Sequence, residues 1–373
     1  MIRPALAILA AAGALALVGA TPALAHGHDH GSRGVVFVQT NEVSGNKIDV
    51  FDRGGDGRLT LAGTYPTRGL GGVAAPGTES DHLASQGSLA LAADGKTLIA
   101  VNAGSDTVTS FRVHGDRLQL RSIVSSGGQF PASVAVSGRL VYVLNSGGTG
   151  IVQGFWLRGS HLVPIAGSAR SLGLANGDPP NFLTSPGQVG FTPDRSKLLV
   201  TTKASTSSID VFAVGRDGRL SSTPVVNPSA TPVPFAFTFG SGRLVDGEAG
   251  TSSVTTYVVG GGGTLSDPRS ASDGQMALCW ILRVGNVYYV SNTASNTLSS
   301  FTVDSAGTPS LLQAVAATTN PGPIDLAVSG GFLYAETGTN GTVDEFAVNS
   351  DGTLTPIGTV TGLPPGLEGI AAS

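Results

Sequence analysis

A chain of 373 residues carries only 12% charged side chains, against about a quarter in an ordinary globular domain, together with 54 glycines and a formal charge of −4. It has no basic stripe or run of lysine and arginine, which excludes nucleic acid as a partner. A lone cysteine, Cys279, excludes an internal disulfide framework.

The first 25 residues stand apart from the rest of the chain. Arg3 precedes an apolar run from Ala5 to Ala20, and Ala23-Leu24-Ala25 supplies small residues where a signal peptidase cuts. The run is short for a membrane span and no later segment qualifies, so residues 1–25 read as a signal peptide and the protein as secreted, without stable membrane insertion. Residues 26–35 form a His/Gly-rich leader with two readings. It is a disordered polar tail, or, if cleavage falls at Ala25, the free amine of His26, two amide nitrogens and the His28 imidazole make a square-planar set for Cu(II) or Ni(II).

From Val36 to Ser373 one pattern of alternating strand, polar turn and alternating strand is written seven times. The aromatic of its second strand recurs as Phe51, Phe111, Phe155, Phe212, Tyr257, Phe301 and Phe346, with gaps of 60, 44, 57, 45, 44 and 45 residues. A period of 44 or 45 in strand-and-turn sequence predicts a radial array of four-stranded antiparallel sheets, an all-β, seven-bladed β-propeller. Blades two to seven each open with an innermost strand, starting at Ser88, Ser133, Gln188, Ala236, Cys279 and Asp325. Blade one lacks its own, and Glu368–Ser373 matches the pattern, so the C-terminal strand is expected to close the ring.

The strand order separates two faces. The tight Asp-Gly turns at 56–57, 94–95, 217–218 and 351–352 all fall on one, which reads as scaffold. The two long gaps come from insertions at 71–86 and 173–185, and both fall on the other face. Extra loop on one face of a repeat protein commonly marks its binding side.

Candidate chemistry gathers on that face. His82, within Glu79-Ser80-Asp81-His82, is the imidazole placed there; it is either a solvated surface group or a proton-transfer residue. Glu42, Lys203 and Glu248 come from the loops between second and third strands. The starts of the innermost strands aim Gln188, Asp325 and Glu368 toward the axis, either as lining of a water-filled channel or as ligand contacts. Cys279 beside Trp280 reads as a small buried residue. Neither a nucleophile elbow nor a phosphate loop, HExxH motif or calcium loop is present. In a lactone hydrolase, Glu248 or His82 would activate water and Lys203 would stabilise the oxyanion, with Gln188, Asp325, Glu368 and Glu42 binding substrate. All three catalytic candidates are placed outside the core.

The repeated strand–Asn–turn–strand sentence, as in Leu98–Phe111, Val141–Phe155 and Val287–Phe301, resembles the lactonase-type seven-bladed propellers, which include 6-phosphogluconolactonases and 3-carboxymuconate lactonising enzymes. The resemblance covers Val36 to Ser373. It implies a hydrolase of a lactone or related cyclic ester at the mouth of the axis, needing no cofactor and acting as a monomer. The family's histidine-bearing opener corresponds here to Ser185-Pro186-Gly187-Gln188, and its Asn-Glu-like loop to Asp246-Gly247-Glu248. The alternative is a non-catalytic extracellular propeller that grips a glycan, a small molecule or a protein through the same rim.

Overall fold

A computed structural model of the protein describes residues 34–74 and 79–373. The signal-peptide reading of residues 1–25 and the copper reading of His26 and His28 lie outside the described residues. Within them the chain is all-β, folded as seven antiparallel sheets in a ring. The innermost strands of blades two to seven are Leu89–Leu91, Pro131–Ser137, Gln188–Phe191, Pro234–Gly240, Leu278–Val284 and Pro323–Ser329. No helix among the described residues is long and apolar enough to cross a membrane.

The seven repeated aromatics are the reason the blades stack. None is more than 2% exposed, and each lies where one sheet faces the next. Phe155 shares a buried cluster with Ile99 and Val101 of the preceding blade, and Phe301 shares one with Phe235 and Val245. A four-stranded sheet alone would leave such a ring in water on one side, so the repeat is stable only as a closed set. A polar tie repeats across the seams. Tyr142 donates to the Gly218 carbonyl of the next blade at 2.8 Å, and Tyr334 to the Gly57 carbonyl at 2.7 Å. Both acceptors are the glycines of Asp-Gly turns, at φ +77° and +84°, a left-handed conformation that a side chain would strain.

Closure by the C-terminus is as the repeat predicts. Ile370–Ala372 pairs antiparallel with Gly34–Gln39, placing Val36 opposite Ala372, Phe37 opposite Ala371 and Val38 opposite Ile370. Ser373 N extends the ladder by donating to Val35 O at 2.9 Å. The first strand begins at Gly34, two residues before its expected start, because Gly34 and Val35 still pair with Arg53 and Asp52. Blade three departs from the four-stranded plan. Its outer strand is broken into His161–Pro164 and Arg170–Ser171, both paired with Ile151–Arg158.

The axis is covered at its upper end. Residues 83–87 of the first insertion lie across its upper end. Leu83 N donates to Glu368 Oε2 at 2.5 Å, Ser85 Oγ to Ala132 O at 2.8 Å and Gly87 N to Asp325 Oδ2 at 3.3 Å. Gln86 N donates to Gly187 O at 3.0 Å, and its side-chain amide brackets the Ile281 backbone, accepting from N at 3.0 Å and donating to O at 3.2 Å. These partners belong to blades one, three, seven, four and six, which one short segment can reach only from the centre of the ring.

Candidate functional site

The site begins with Lys203, in the turn between Lys197–Thr201 and Ser208–Ala213 of blade four. The residue adopts φ +47°, a left-handed conformation unusual for lysine. Its side chain is turned inward, 1% exposed, contrary to the expectation of a rim group outside the core. Nζ donates to Ala84 O and to Phe182 O, each at 2.6 Å, so one ammonium holds both insertions. The rings of Phe235 and Phe182 lie 5.0 and 5.3 Å from it. Burial lowers the Lys203 pKa to about 8, against the opposing pull of Asp81 first and then of Cys279 and Glu368.

Asp81 is the carboxylate that answers this charge. Its Oδ1 accepts from Ala84 N at 2.7 Å. Burial raises its pKa to about 6, and Lys203 is the largest force in the other direction. The neighbouring Glu368 carboxyl is pushed well above the usual range by burial and by the Asp81 charge. Glu368 thus keeps its proton to higher pH than Asp81, the ordering expected when two carboxyls share a dry site. Below them, burial also raises Glu336 well above the carboxylate range and Asp325 to about 7.

Beside the axis rather than in it, over blades four to six, lies a cavity of about 420 Å³. Glu79, Ser80 and Asp81 of the first insertion form one wall, and Phe182 and Leu183 of the second form another. Lys203, Phe235, Cys279 and Trp280 line it from the blades. The Phe235 and Trp280 rings meet at 4.9 Å, and Trp280 Nε1 is held by donating to Ser85 O at 3.0 Å. Burial pushes the Cys279 thiol well above its usual pKa, so it is an inert wall group and not a nucleophile.

The sequence-derived candidates divide sharply. Lys203 lines the cavity. Glu248 does not: its carboxylate is fully buried within blade five, accepting from Ser229 Oγ at 2.5 Å, Tyr257 Oη at 2.7 Å and Thr255 Oγ1 at 2.7 Å. His82 is half-buried with its ring packed against Gly366, outside the cavity lining, and burial lowers its pKa. Gln188 joins two blades, its Oε1 accepting from Phe237 N at 2.5 Å. Asp325 and Glu368 hold the crossing segment through Gly87 and Leu83. Glu42 pairs with Lys47 at 2.7 Å, away from the cavity. Sequence reasoning named the stretch containing Asp81 but selected its histidine. No sequence signal separates the two; the structure does, through the run Asp81–Ser85, whose backbone is bonded to several other elements. Among the described residues no group of three or more His, Cys, Asp or Glu is placed to hold a metal ion.

Residues 25–152 match the family model described as Lactonase, 7-bladed beta-propeller. No curated protein matches the chain. Among solved structures, a putative 6-phosphogluconolactonase from Bacteroides fragilis superposes with a TM-score of 0.71 at 18% identity, covering 92% of this chain and 98% of that one. A periplasmic gluconolactonase from Pseudomonas aeruginosa gives 0.68 at 21% identity, covering 90% and 99%. A Lactobacillus plantarum protein gives 0.70 at 18%, covering 91% and 99%. This chain resembles the lactonase-type seven-bladed propellers. At these identities the superpositions speak for the shared architecture, and the site must be argued from its own residues.

Proposed function

We propose that the protein binds and hydrolyses a lactone or related cyclic ester in the cavity over blades four to six. The observation that carries this reading is the placement of a buried ammonium, Lys203, and a buried carboxylate, Asp81, in the lining of one largely apolar cavity. Asp81 takes the part that sequence reasoning gave to Glu248 or His82. As a carboxylate it removes a proton from water, whose oxygen attacks the lactone carbonyl. Two of the three Lys203 protons are held by backbone carbonyls, and the third is left to stabilise the developing oxyanion. Collapse of the tetrahedral intermediate breaks the ring C–O bond, and the leaving alkoxide recovers the proton from Asp81. The reaction so written needs no cofactor.

The family match over residues 25–152 and the lactonase descriptions of the structural neighbours support the reaction class. Export belongs to the same reading, supported by the composition of residues 1–25 and by a neighbour described as periplasmic. Titration of released acid at constant pH, over sugar, aryl and acyl-homoserine lactones, tests it. Wild type is expected to turn over at least one class, and Asp81→Asn to lower that rate by roughly 10²-fold, the usual worth of a general base. Absence of turnover above buffer on every lactone overturns it.

One observation favours a second reading, ligand binding without chemistry. Lys203 is already bonded to the Ala84 and Phe182 carbonyls, Asp81 to Ala84 N and Glu368 to Leu83 N, as the groups of a structural cluster would be. Binding of a lactone with no release of acid is the outcome that selects it.

A further inference from the structure

We infer that the cavity takes an uncharged cyclic ester with an aromatic or branched aliphatic body, and rejects phosphorylated sugar lactones. The inference rests on the lactone reading of this cavity and deepens it. Three features carry it. The walls presented by Phe182, Phe235 and Trp280 are aromatic faces, and the one indole donor is already committed to Ser85 O. A sugar lactone needs a hydrogen-bonding group for each hydroxyl it buries; the aromatic faces supply none, and the polar side chains of the lining are confined to Glu79, Ser80, Asp81, Lys203 and Thr293. At the mouth stands Leu183, an apolar side chain 56% exposed, where a polar substrate would be met by a polar rim.

Charge points the same way. A phosphate carries close to two negative charges and is held by arginine forks, backbone N–H nests or helix N-termini. Among the described residues no arginine lines this cavity. The one cation among its described lining residues, Lys203, already feels the Asp81 charge and gives two protons to carbonyls. Exposed Glu79 and buried Asp81 both stand in the lining, where they repel an incoming dianion. A neutral ester meets none of these obstacles, because its carbonyl oxygen needs the one remaining Lys203 proton and its body needs apolar contact. A cavity of about 420 Å³ accommodates a bicyclic aryl lactone or a lactone with a short acyl chain.

The experiment compares kcat/KM of the full protein for 3,4-dihydrocoumarin, N-hexanoyl-homoserine lactone and 6-phosphogluconolactone. The expected result is a value at least tenfold higher for one of the two uncharged substrates than for the phosphorylated one, and a Leu183→Lys variant that narrows the gap. Faster turnover of 6-phosphogluconolactone overturns the inference and leaves the lactone reading standing. If no lactone is turned over, the lactone reading fails, and the ligand class is read from fluorescence instead. Trp156 and Trp280 are the two tryptophans, so in a Trp156→Phe background the emission reports the cavity. Quenching by dihydrocoumarin and not by 6-phosphogluconate then sustains the apolar class. The reverse order, or no quenching by dihydrocoumarin, overturns it.

Discussion

The Lys203 ammonium donates to the carbonyl of Ala84 at 2.6 Å, from a different blade and 119 residues along the chain. That bond fixes the first insertion over the end of the axis, and the companion bond to Phe182 O fixes the second beside it. The cavity between the insertions therefore depends on a residue that is buried, charged and conformationally strained at once.

Replacing Lys203 by methionine should destabilise the protein as well as silence it. The change leaves Asp81 in a dry site without its cation and two carbonyls without their donor, a loss of roughly 3 kcal/mol or more. Urea unfolding measures it, with the midpoint falling at unchanged slope. An unaltered midpoint contradicts the clamp.

Truncation after Leu367 removes the strand that closes the ring and the Glu368 carboxyl that receives Leu83 N. Two strand edges become exposed and the axis segment loses an anchor, so the loss should reach roughly 5 kcal/mol or more, far beyond an ordinary tail deletion. Calorimetry on the shortened chain checks this; melting at the full-length temperature would refute closure.

Activity should follow a bell in pH. Asp81 must be ionised to act as base and Lys203 protonated to meet the oxyanion, so kcat/KM should rise through about 6 and fall through about 8. Asp81→Asn should remove the acid limb from whatever activity remains, which stopped-rate assays across pH 5 to about 9 would detect.

Stability should respond to pH with the opposite sense on the acid side. Burial raises Asp81 to about 6 and Asp325 to about 7, so the native state keeps protons that the unfolded chain releases above its ordinary carboxylate pKa. Stability therefore falls as pH rises from about 4 toward 7. Lys203, lowered to about 8, acts in the reverse direction: between about 8 and the ordinary lysine pKa the unfolded chain holds the extra proton, and stability recovers as pH rises. The melting temperature should be higher at pH 5 than at pH 7.5, and a steady rise across that interval would count against the buried acids.

Exposing the ring stack to one truncation should separate scaffold from site. Phe155→Ala empties a fully buried position between blades two and three and should cost roughly 3–5 kcal/mol. Phe182→Ala, at a half-buried cavity wall, should raise KM for an aryl lactone with a much smaller change in unfolding midpoint. If the two variants behave alike, the assignment of Phe182 to the cavity is wrong.

The architecture was legible because it repeats. Seven buried aromatics at a spacing of 44 or 45, lengthened only at the two insertions, allow one arrangement of sheets. The incomplete first blade likewise pointed to Glu368–Ser373, within which Ile370–Ala372 is its missing strand. The site was only half legible, since it lies where the repeat is broken. Lys203 could be placed by counting strands, but its inward turn accompanies a left-handed backbone that no spacing announces. Glu248 has the same repeat position in blade five, yet three neighbouring hydroxyls take its carboxylate. Asp81 belongs to an insertion, where no second copy of the pattern exists to say which way a side chain faces.

The segment 83–87 changes how the ring behaves as a mechanical object. In a repeat array each unit leans only on its two neighbours, so damage spreads along the ring one seam at a time. Here one short stretch is bonded to blades one, three, four, six and seven, which turns a circular chain of pairwise dependencies into a wheel with a hub. Loosening any one of these five blades is felt at the hub and passed to blades on the far side. The hub residues are synthesised before most of their partners, so they reach their final seats only when the last strand has docked. The cavity, which shares its wall with the hub, is then the last part of the molecule to take shape and the first to report that the ring has opened.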